Sequence, residues 1–374
     1  MDKCKKLHVG HLQKPYKCQE LFVDKWSEVE LRNDVTGDME TDDLFEGKHA
    51  MEEKSEDKYL GDIISTDGRN MKNIKARIAK GKGIVNNMLT MLEGIPFGRH
   101  YFEVGIILRN SLLVSSMLFN SEAWYNLTSA ELDLFETIDL LLLRQLLHAP
   151  KGTPKEMIYL ELGCTPFREI IRERRLGFLY YILKEDTESM IHRCFQSQFK
   201  NRTKRDWVTT IIEDLKYIDM ENETWDTLKN MKKASFMAKI KENMMMKTLD
   251  KFQKEKKSHS KVRNLEHNAI KMQKYLQPNG IKMTKEEAQL IFHLRCRVTE
   301  AKINLRGKYD NLECGACGVE EETQQHVIKC KVLNKGKEVE DISYENLFNG
   351  TVKEKLRIAH KFEEHFSVLE KMKK

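Results

Sequence analysis

Proline is scarce in this chain: six among 374 residues, at positions 15, 96, 150, 154, 166 and 278. Few places therefore forbid a helix, and none does so beyond Pro278. Long hydrophobic runs are also lacking. The two best, residues 104–119 and 138–147, are broken by Arg109 and Arg144 and are too short to span a bilayer. The stretch Met1-Asp2-Lys3-Cys4-Lys5-Lys6 has no apolar h-region and reads as no signal peptide. Gly81-Lys82-Gly83 lacks the glycine spacing and the Lys-Ser/Thr of a phosphate loop, and no G-x-S-x-G nucleophile turn or internal repeat occurs. These absences exclude several enzyme classes and a membrane partner, and they predict a soluble, helix-rich protein with no small-molecule substrate.

What is present is charge. Charged residues make up 33% of the chain and hydrophobic ones 40%, a balance suited to helices with broad solvated faces. The net charge of +6 is uneven: residues 1–60 carry ten Lys/Arg against fifteen Asp/Glu, whereas residues 229–274 carry fourteen against four. A dense positive segment suits a polyanion such as nucleic acid, and it equally suits a solvated lysine-rich helix. Eight cysteines without a secretory signal point to a reducing, intracellular compartment, nuclear or cytoplasmic, with thiols free or metal-bound.

Four of the residues suited to metal binding stand together. Cys314, Cys317, His326 and Cys330 follow the spacing C-x2-C-x8-H-x3-C. Two thiolates flanking Gly315-Ala316 can grip one Zn²⁺, and His326 and Cys330, one helical turn apart, can complete a tetrahedron. With every position filled by protein, no site remains for a reactive water, so this zinc would be structural. Cys4, His8, His11 and Cys18 lack a two-cysteine knuckle, and Cys164, Cys194 and Cys296 are scattered singly as buried or idle thiols.

The hydrophobic pattern predicts a mainly α protein in five parts. Residues 1–67 read as a residual α/β fragment, with short strands at 6–9 and 20–23, an acidic loop over 34–57, and a strand over 58–65. Residues 68–184 read as a compact helical bundle. Its first helix carries Met71, Ile74, Ile78, Val85, Met88, Leu89 and Leu92 at a 3.6-residue period and stops at Gly94-Ile95-Pro96. Helices follow over 101–124, from the Thr128/Glu131 capping box to 147, over 154–162, and over 166–183 with Thr165 as cap. Residues 185–283 form a basic helical connector with helices over 207–218 and 225–257. Residues 284–335 hold a helix over 285–304, opened by Thr284 and Glu287, and then the zinc knuckle. Residues 336–374 end in a helix with Val352, Leu356, Ala359, Phe362, Phe366 and Leu369 on one face, suited to its own bundle or to another chain. Trp124, Trp207 and Trp225 and the run Met244-Met245-Met246 read as core.

Several stretches resemble, in order, the reverse transcriptases of LINE-type (non-LTR) retrotransposons after their active site. They are Lys3-Cys4-Lys5-Lys6-Leu7-His8-Val9-Gly10, Lys58-Tyr59-Leu60-Gly61-Asp62-Ile63-Ile64-Ser65-Thr66-Asp67-Gly68, and the basic helix after it. Ala149-Pro150-Lys151-Gly152-Thr153-Pro154 and Tyr159-Leu160-Glu161-Leu162-Gly163 continue the likeness. Ile291-Phe292-His293-Leu294-Arg295-Cys296-Arg297 and Glu322-Thr323-Gln324-Gln325-His326 within the cysteine cluster extend it to about residue 330.

The resemblance implies the end of a palm, a thumb and a C-terminal zinc knuckle. It also implies that Lys72, Lys75, Arg77, Lys80 and Lys82 face a template–primer duplex, with Gly81 and Gly83 admitting close backbone approach. An ordinary solvated amphipathic helix accounts for the same lysines. The departures bear on activity. The aromatic-x-Asp-Asp motif that would hold two divalent metals is missing, since Asp42-Asp43 follows Glu40-Thr41 and lies downstream of the Lys-Cys-Lys-Lys stretch. No Pro-Asp/Asp/Lys endonuclease constellation follows the knuckle. The expectation is a non-catalytic RNA- or DNA-binding remnant. The alternatives are a fragment of an RNA-directed DNA polymerase with its palm encoded upstream, and a helical protein-interaction scaffold.

Overall fold

The computed structural model describes residues 56–59, 61–65, 70–94, 100–258, 265, 267–278, 280–335 and 343–372. The strands expected at 6–9 and 20–23, Asp42-Asp43 and the Cys4/His8/His11/Cys18 group lie outside the described residues. Among the described residues the protein is mainly α, and it divides into two units, Met1–Ala76 and Arg77–Lys374. The boundaries read at 184, 283 and 335 all fall within the second unit.

In the first unit the single strand expected over 58–65 is a hairpin. Strands β1 (Glu56–Tyr59) and β2 (Asp62–Ser65) pair antiparallel with Tyr59 opposite Asp62. The chain reverses at Gly61, whose φ of 94° only glycine adopts readily. The buried Asn73 ties the start of helix α1 (Met71–Glu93) to this hairpin: its amide donates to Asp62 Oδ1 at 2.7 Å and its own carbonyl accepts from Ile63 N.

In the second unit α1 continues and is followed by α2 (His100–Leu108). The one helix expected over 101–124 is interrupted. A π-helical turn, Arg109–Val114, leads into α3 (Ser115–Met117), and a left-handed Asn120 ends the run before a 3₁₀ turn at Ser121–Ala123. Two hydroxyls accompany the widened turn, Ser111 donating to Ile107 O and Ser115 to Asn110 O. Arg109 is drawn inward, donating twice to the buried Asp139 at 2.6 Å. Asp139 belongs to α4 (Ser129–Leu147), which opens on the expected Thr128/Glu131 capping box.

Helix α5 (Lys155–Leu162) closes at Gly163, and α6 (Phe167–Lys184) starts one residue later than expected, with Pro166 as its N-cap. Thr165 is no cap; its carbonyl accepts from Arg109. Helix α7 (Met190–Lys200), capped by Ser189, was absent from the sequence-based pattern. It leads to α8 (Trp207–Tyr217), α9 (Trp225–Asn230) and α10 (Lys233–Ser258). The expected 225–257 helix breaks at Met231, an extended residue whose carbonyl accepts from Tyr180 Oη at 2.9 Å. Trp124, Trp207 and Met244 are buried in the core, whereas Met245 is half-buried and Met246 exposed, and Trp225 is half-buried, edge-on to Phe195 and Phe199.

Helix α11 (Lys285–Cys296) begins at the expected Thr284/Glu287 box but ends at a left-handed Arg297, eight residues short of the expected end; a separate 3₁₀ stretch, Lys302–Lys308, follows. Helices α12 (Gln324–Lys329), α13 (Asn346–Asn349) and α14 (Val352–Met372) complete the unit. Helix α14 packs on α11, α12 and α13 of its own chain, burying Val352, Ala359, Phe362 and Leu369 of the expected face. Among the described residues no helix is long and apolar enough to cross a membrane.

A buried charge joins the distant parts of this unit. Glu161 of α5 is fully buried and receives Arg295 of α11 at 2.9 Å and Tyr275 Oη at 2.5 Å, with His267 Nε2 at 3.3 Å. Arg295 also donates to Leu347 O of α13, which Lys355 of α14 contacts at 2.8 Å. Beside Glu161, residues 271–272 cross Gly163, where a Cβ would overlap the Met272 nitrogen and stand 2.5 Å from the Lys271 carbonyl carbon. Gly163 also has φ of 66°. Gly163→Ala should therefore cost at least about 1–3 kcal/mol in backbone strain alone, before the crossing segment moves. An unchanged urea midpoint would disprove that close approach.

Candidate metal centre

The metal centre is built by a tight turn and one short helix. The turn runs Cys314-Gly315-Ala316-Cys317-Gly318: Gly318 N donates to Cys314 O at 2.8 Å, and Cys314 N donates to Glu320 O at 2.7 Å. Gly318 takes φ of 63°, which lets the chain leave the turn with both thiols on its inner side. Thr323 then caps α12, accepting from His326 N at 2.9 Å. That cap fixes His326 in the first turn of α12 and Cys330 at its end.

The ligand atoms of Cys314, Cys317, His326 and Cys330 all lie within 4.8 Å of one another, so the four can hold one metal ion. Cys317 Sγ stands 3.3 Å from His326 Nε2. His326 Nδ1 lies 3.1 Å from Glu320 Oε2, and a proton donated there leaves Nε2 free to bind metal. Burial pushes the Cys314 thiol up to about 11, against the backbone amides of Cys317 and Ala316, which lower it. At Cys317 burial acts in the same sense, yet the amides of Glu320 and Val319, with His326 beside them, hold the thiol down to about 7. Three thiols and one imidazole form a soft, closed donor set, suited to holding a cation rather than to turnover. The six cysteines among the described residues are all free thiols, so none of these ligands is lost to a disulfide.

Two supporting groups were not legible as such in the sequence. Glu322, fully buried, accepts from Gly315 N at 3.2 Å and from Lys302 N at 3.3 Å, bracing the turn against the preceding 3₁₀ stretch. His365 of α14 lies with Nδ1 2.6 Å from Val327 O, fastening α12 from behind. Position alone gave no sign of either. The unmet need of His326 Nδ1 was a usable signal for a nearby carboxylate such as Glu320.

The basic residues divide. Lys72, Lys75, Lys80 and Lys82 are exposed on α1, with Lys72 paired to Glu56 at 2.6 Å. Arg77 departs from the expected basic face: it is buried, donates to Ser116 O and Met117 O at 3.1 Å, and lies over the Trp124 ring. It occupies the apolar stripe between Ile74 and Gly81 and acts there as a cap for α3. Gly81 serves packing too, since a Cβ there would come 2.5 Å from Met117 Sδ, while Gly83 faces open space. In the basic connector, Lys239, Lys241, Lys247 and Lys251 form ion pairs with Glu223, Glu173, Asp219 and Glu156. Four of that segment's fourteen cations are thus met within the chain.

No family model, curated protein or solved structure matches this chain.

Proposed function

We propose that this chain is a non-catalytic nucleic-acid-binding module, a remnant of the post-catalytic region of a LINE-type reverse transcriptase, acting inside the cell in the nucleus or cytoplasm. A structural zinc sits between Cys314, Cys317, His326 and Cys330. Ligands at 2.0–2.3 Å from a tetrahedral zinc stand about 3.5–3.8 Å apart, and the Cys317–His326 separation of 3.3 Å is close to that. The knuckle is the observation that carries the reading. Lys75, Lys80 and Lys82 of α1 supply exposed charge for phosphates without reading sequence. The chain lacks an aromatic-x-Asp-Asp motif and so does not polymerise.

The test is RNA and DNA binding by the zinc-loaded chain across a salt series, beside Cys314→Ser/Cys317→Ser and charge reversal at Lys75, Lys80 and Lys82. Binding should be salt-steep and weaker in the cysteine variant. In the charge-reversed variant the salt slope should flatten by about 0.7–0.9 for each phosphate no longer neutralised. A folded, zinc-bearing protein that binds neither polymer at low salt would instead be an interaction scaffold. A second reading has its own support. Met91, Ile107, Leu112 and Phe119 are large apolar side chains between 41% and 57% exposed, as expected where a palm would pack. On that reading the chain is one part of a complete RNA-directed DNA polymerase, and an in-frame upstream aromatic-x-Asp-Asp motif would favour it.

A further inference from the structure

The three thiols of the metal centre differ in how far solvent reaches them. Cys314 and Cys330 are each 1% exposed, whereas Cys317 is half-buried. Beside Cys317 the surface is open: a Cβ built at Gly318 would meet nothing within 4 Å, and Val319 is 79% exposed. A small oxidant arriving from solvent therefore meets Cys317 first. Zn²⁺ has no redox chemistry of its own, so in such a centre the electrons come from the sulfurs.

Cys317 also has a second sulfur in place to close a bond with it. Its Sγ lies within 4.8 Å of those of Cys314 and Cys330. Cys314 shares one turn with it, closed by Gly318 N donating to Cys314 O at 2.8 Å. The ends of so tight a turn stand within about 7 Å, close to the Cα separations a disulfide spans. Protein bonds hold that turn without help from a metal. Cys314 N donates to Glu320 O at 2.7 Å, and the buried Glu322 accepts from Gly315 N at 3.2 Å. Cys330 is brought to the other thiols by a separate element, as the C-cap of α12.

We propose that the metal centre is a hydroperoxide-responsive site, in which Cys317 is oxidised first and Cys314 then closes a disulfide with it, releasing the metal. The inference rests on the zinc reading above and not on any nucleic-acid partner. In the first step the Cys317 thiolate attacks one oxygen of a hydroperoxide. An S–O bond forms, the O–O bond breaks, and the leaving hydroxide (an alkoxide from an organic hydroperoxide) takes a proton from solvent. In the second the Cys314 thiolate attacks the Cys317 sulfur; the S–S bond forms as the S–O bond breaks, and the departing hydroxide becomes water. The two thiolates together lose two electrons, and the peroxide is the oxidant that gains them. Only His326 and Cys330 then remain as donors, too few for a closed site. Helix α12 is thereby untied from the turn, and with it Val327 O, which lies 2.6 Å from His365 Nδ1 of α14.

The experiment exposes the full, zinc-loaded chain to hydrogen peroxide in small molar excess. Zinc release is followed with a chromogenic chelator, and thiols are mapped by alkylation and peptide mass spectrometry, with dimedone in a parallel sample to trap sulfenic acid. The expected result is stoichiometric loss of zinc, a Cys314–Cys317 disulfide, and dimedone on Cys317 ahead of Cys314 and Cys330. A dithiol with added zinc should restore the metal content. Cys194→Ser, which removes an exposed thiol outside the cluster, should lose zinc at the wild-type rate. Slower loss in that variant would make Cys194 the sensing thiol and overturn the proposal. Zinc retained while Cys194 is oxidised, a disulfide that joins Cys330, or a sulfinic acid at Cys317 with no disulfide also overturns it, each leaving the zinc site itself intact. A chain that takes up no zinc overturns both the response and the site.

Discussion

Removing the metal with a chelator should unfold the segment from Cys314 to Cys330 and loosen α14 behind it. Between Cys314 and Cys330 only two apolar side chains other than the cysteines are buried, Val327 and Ile328; the remaining buried groups are Cys314, Cys330, His326, Gln324 and the carboxylate of Glu322. Without a cation, the ligand groups face one another with no compensating charge, and the thiols revert to neutral S–H. With zinc as the ion, a structural site contributes about 10–16 kcal/mol of apparent binding free energy to the folding of its own segment. The loss should therefore be near-complete locally, while α6–α10 stay folded around their separate core. Amide exchange before and after chelation checks this. Protection should vanish from Cys314 to Cys330 and fall over α14, whose His365–Val327 contact depends on α12. Protection that survives full metal removal would show that the cluster folds without an ion. Cys314→Ser/Cys317→Ser should reproduce the chelated pattern.

The second large effect is at Glu161. Replacing it with glutamine removes the charge that Arg295 meets in the interior and leaves a guanidinium buried without its counter-ion, at a cost of about 3–5 kcal/mol. The same pairing fixes a pH dependence. Burial by itself raises the Glu161 pKa, but Arg295 and His267 outweigh it and hold the carboxyl at about 2, below its ordinary 4.5. A depressed carboxylate contributes stability that is fully present above 4.5 and is lost as pH falls through 2. That contribution is about 3 kcal/mol. Urea midpoints measured from pH 6 down to pH 2 should fall for the wild-type chain, and more gently for Glu161→Gln, which has no proton to gain there. Parallel curves would remove Glu161 from the account of acid sensitivity.

Local grammar was legible in the sequence wherever one turn of chain decides the outcome. Thr128/Glu131 and Thr284/Glu287 open α4 and α11 as expected, and the same pattern at Thr351/Glu354, passed over in the sequence, opens α14. The metal ligands were legible for the same reason, since two short spacings suffice to bring them together. What escaped depends on partners far along the chain. The π turn at Arg109 goes with an aspartate thirty residues away, and the break at Met231 with a tyrosine fifty-one away. Helix α11 stops at Arg297 without a glycine or proline to mark it. Arg77 was set on the basic face by the resemblance, although its spacing from Ile74 and Gly81 puts it on the buried stripe.

The Glu161 cluster also sets an order on how the protein is made. Glu161 leaves the ribosome 134 residues ahead of Arg295, an interval of roughly ten seconds at ordinary synthesis rates. During that interval α5 carries a carboxylate without its guanidinium partner, and until Met272 is made Gly163 has no crossing segment above it. The nascent bundle must keep that end of α5 in water until the C-terminal third arrives. Chains released early, before Arg295, should therefore remain open at α5 and present themselves to chaperones and proteases as unfinished, however complete the preceding helices are.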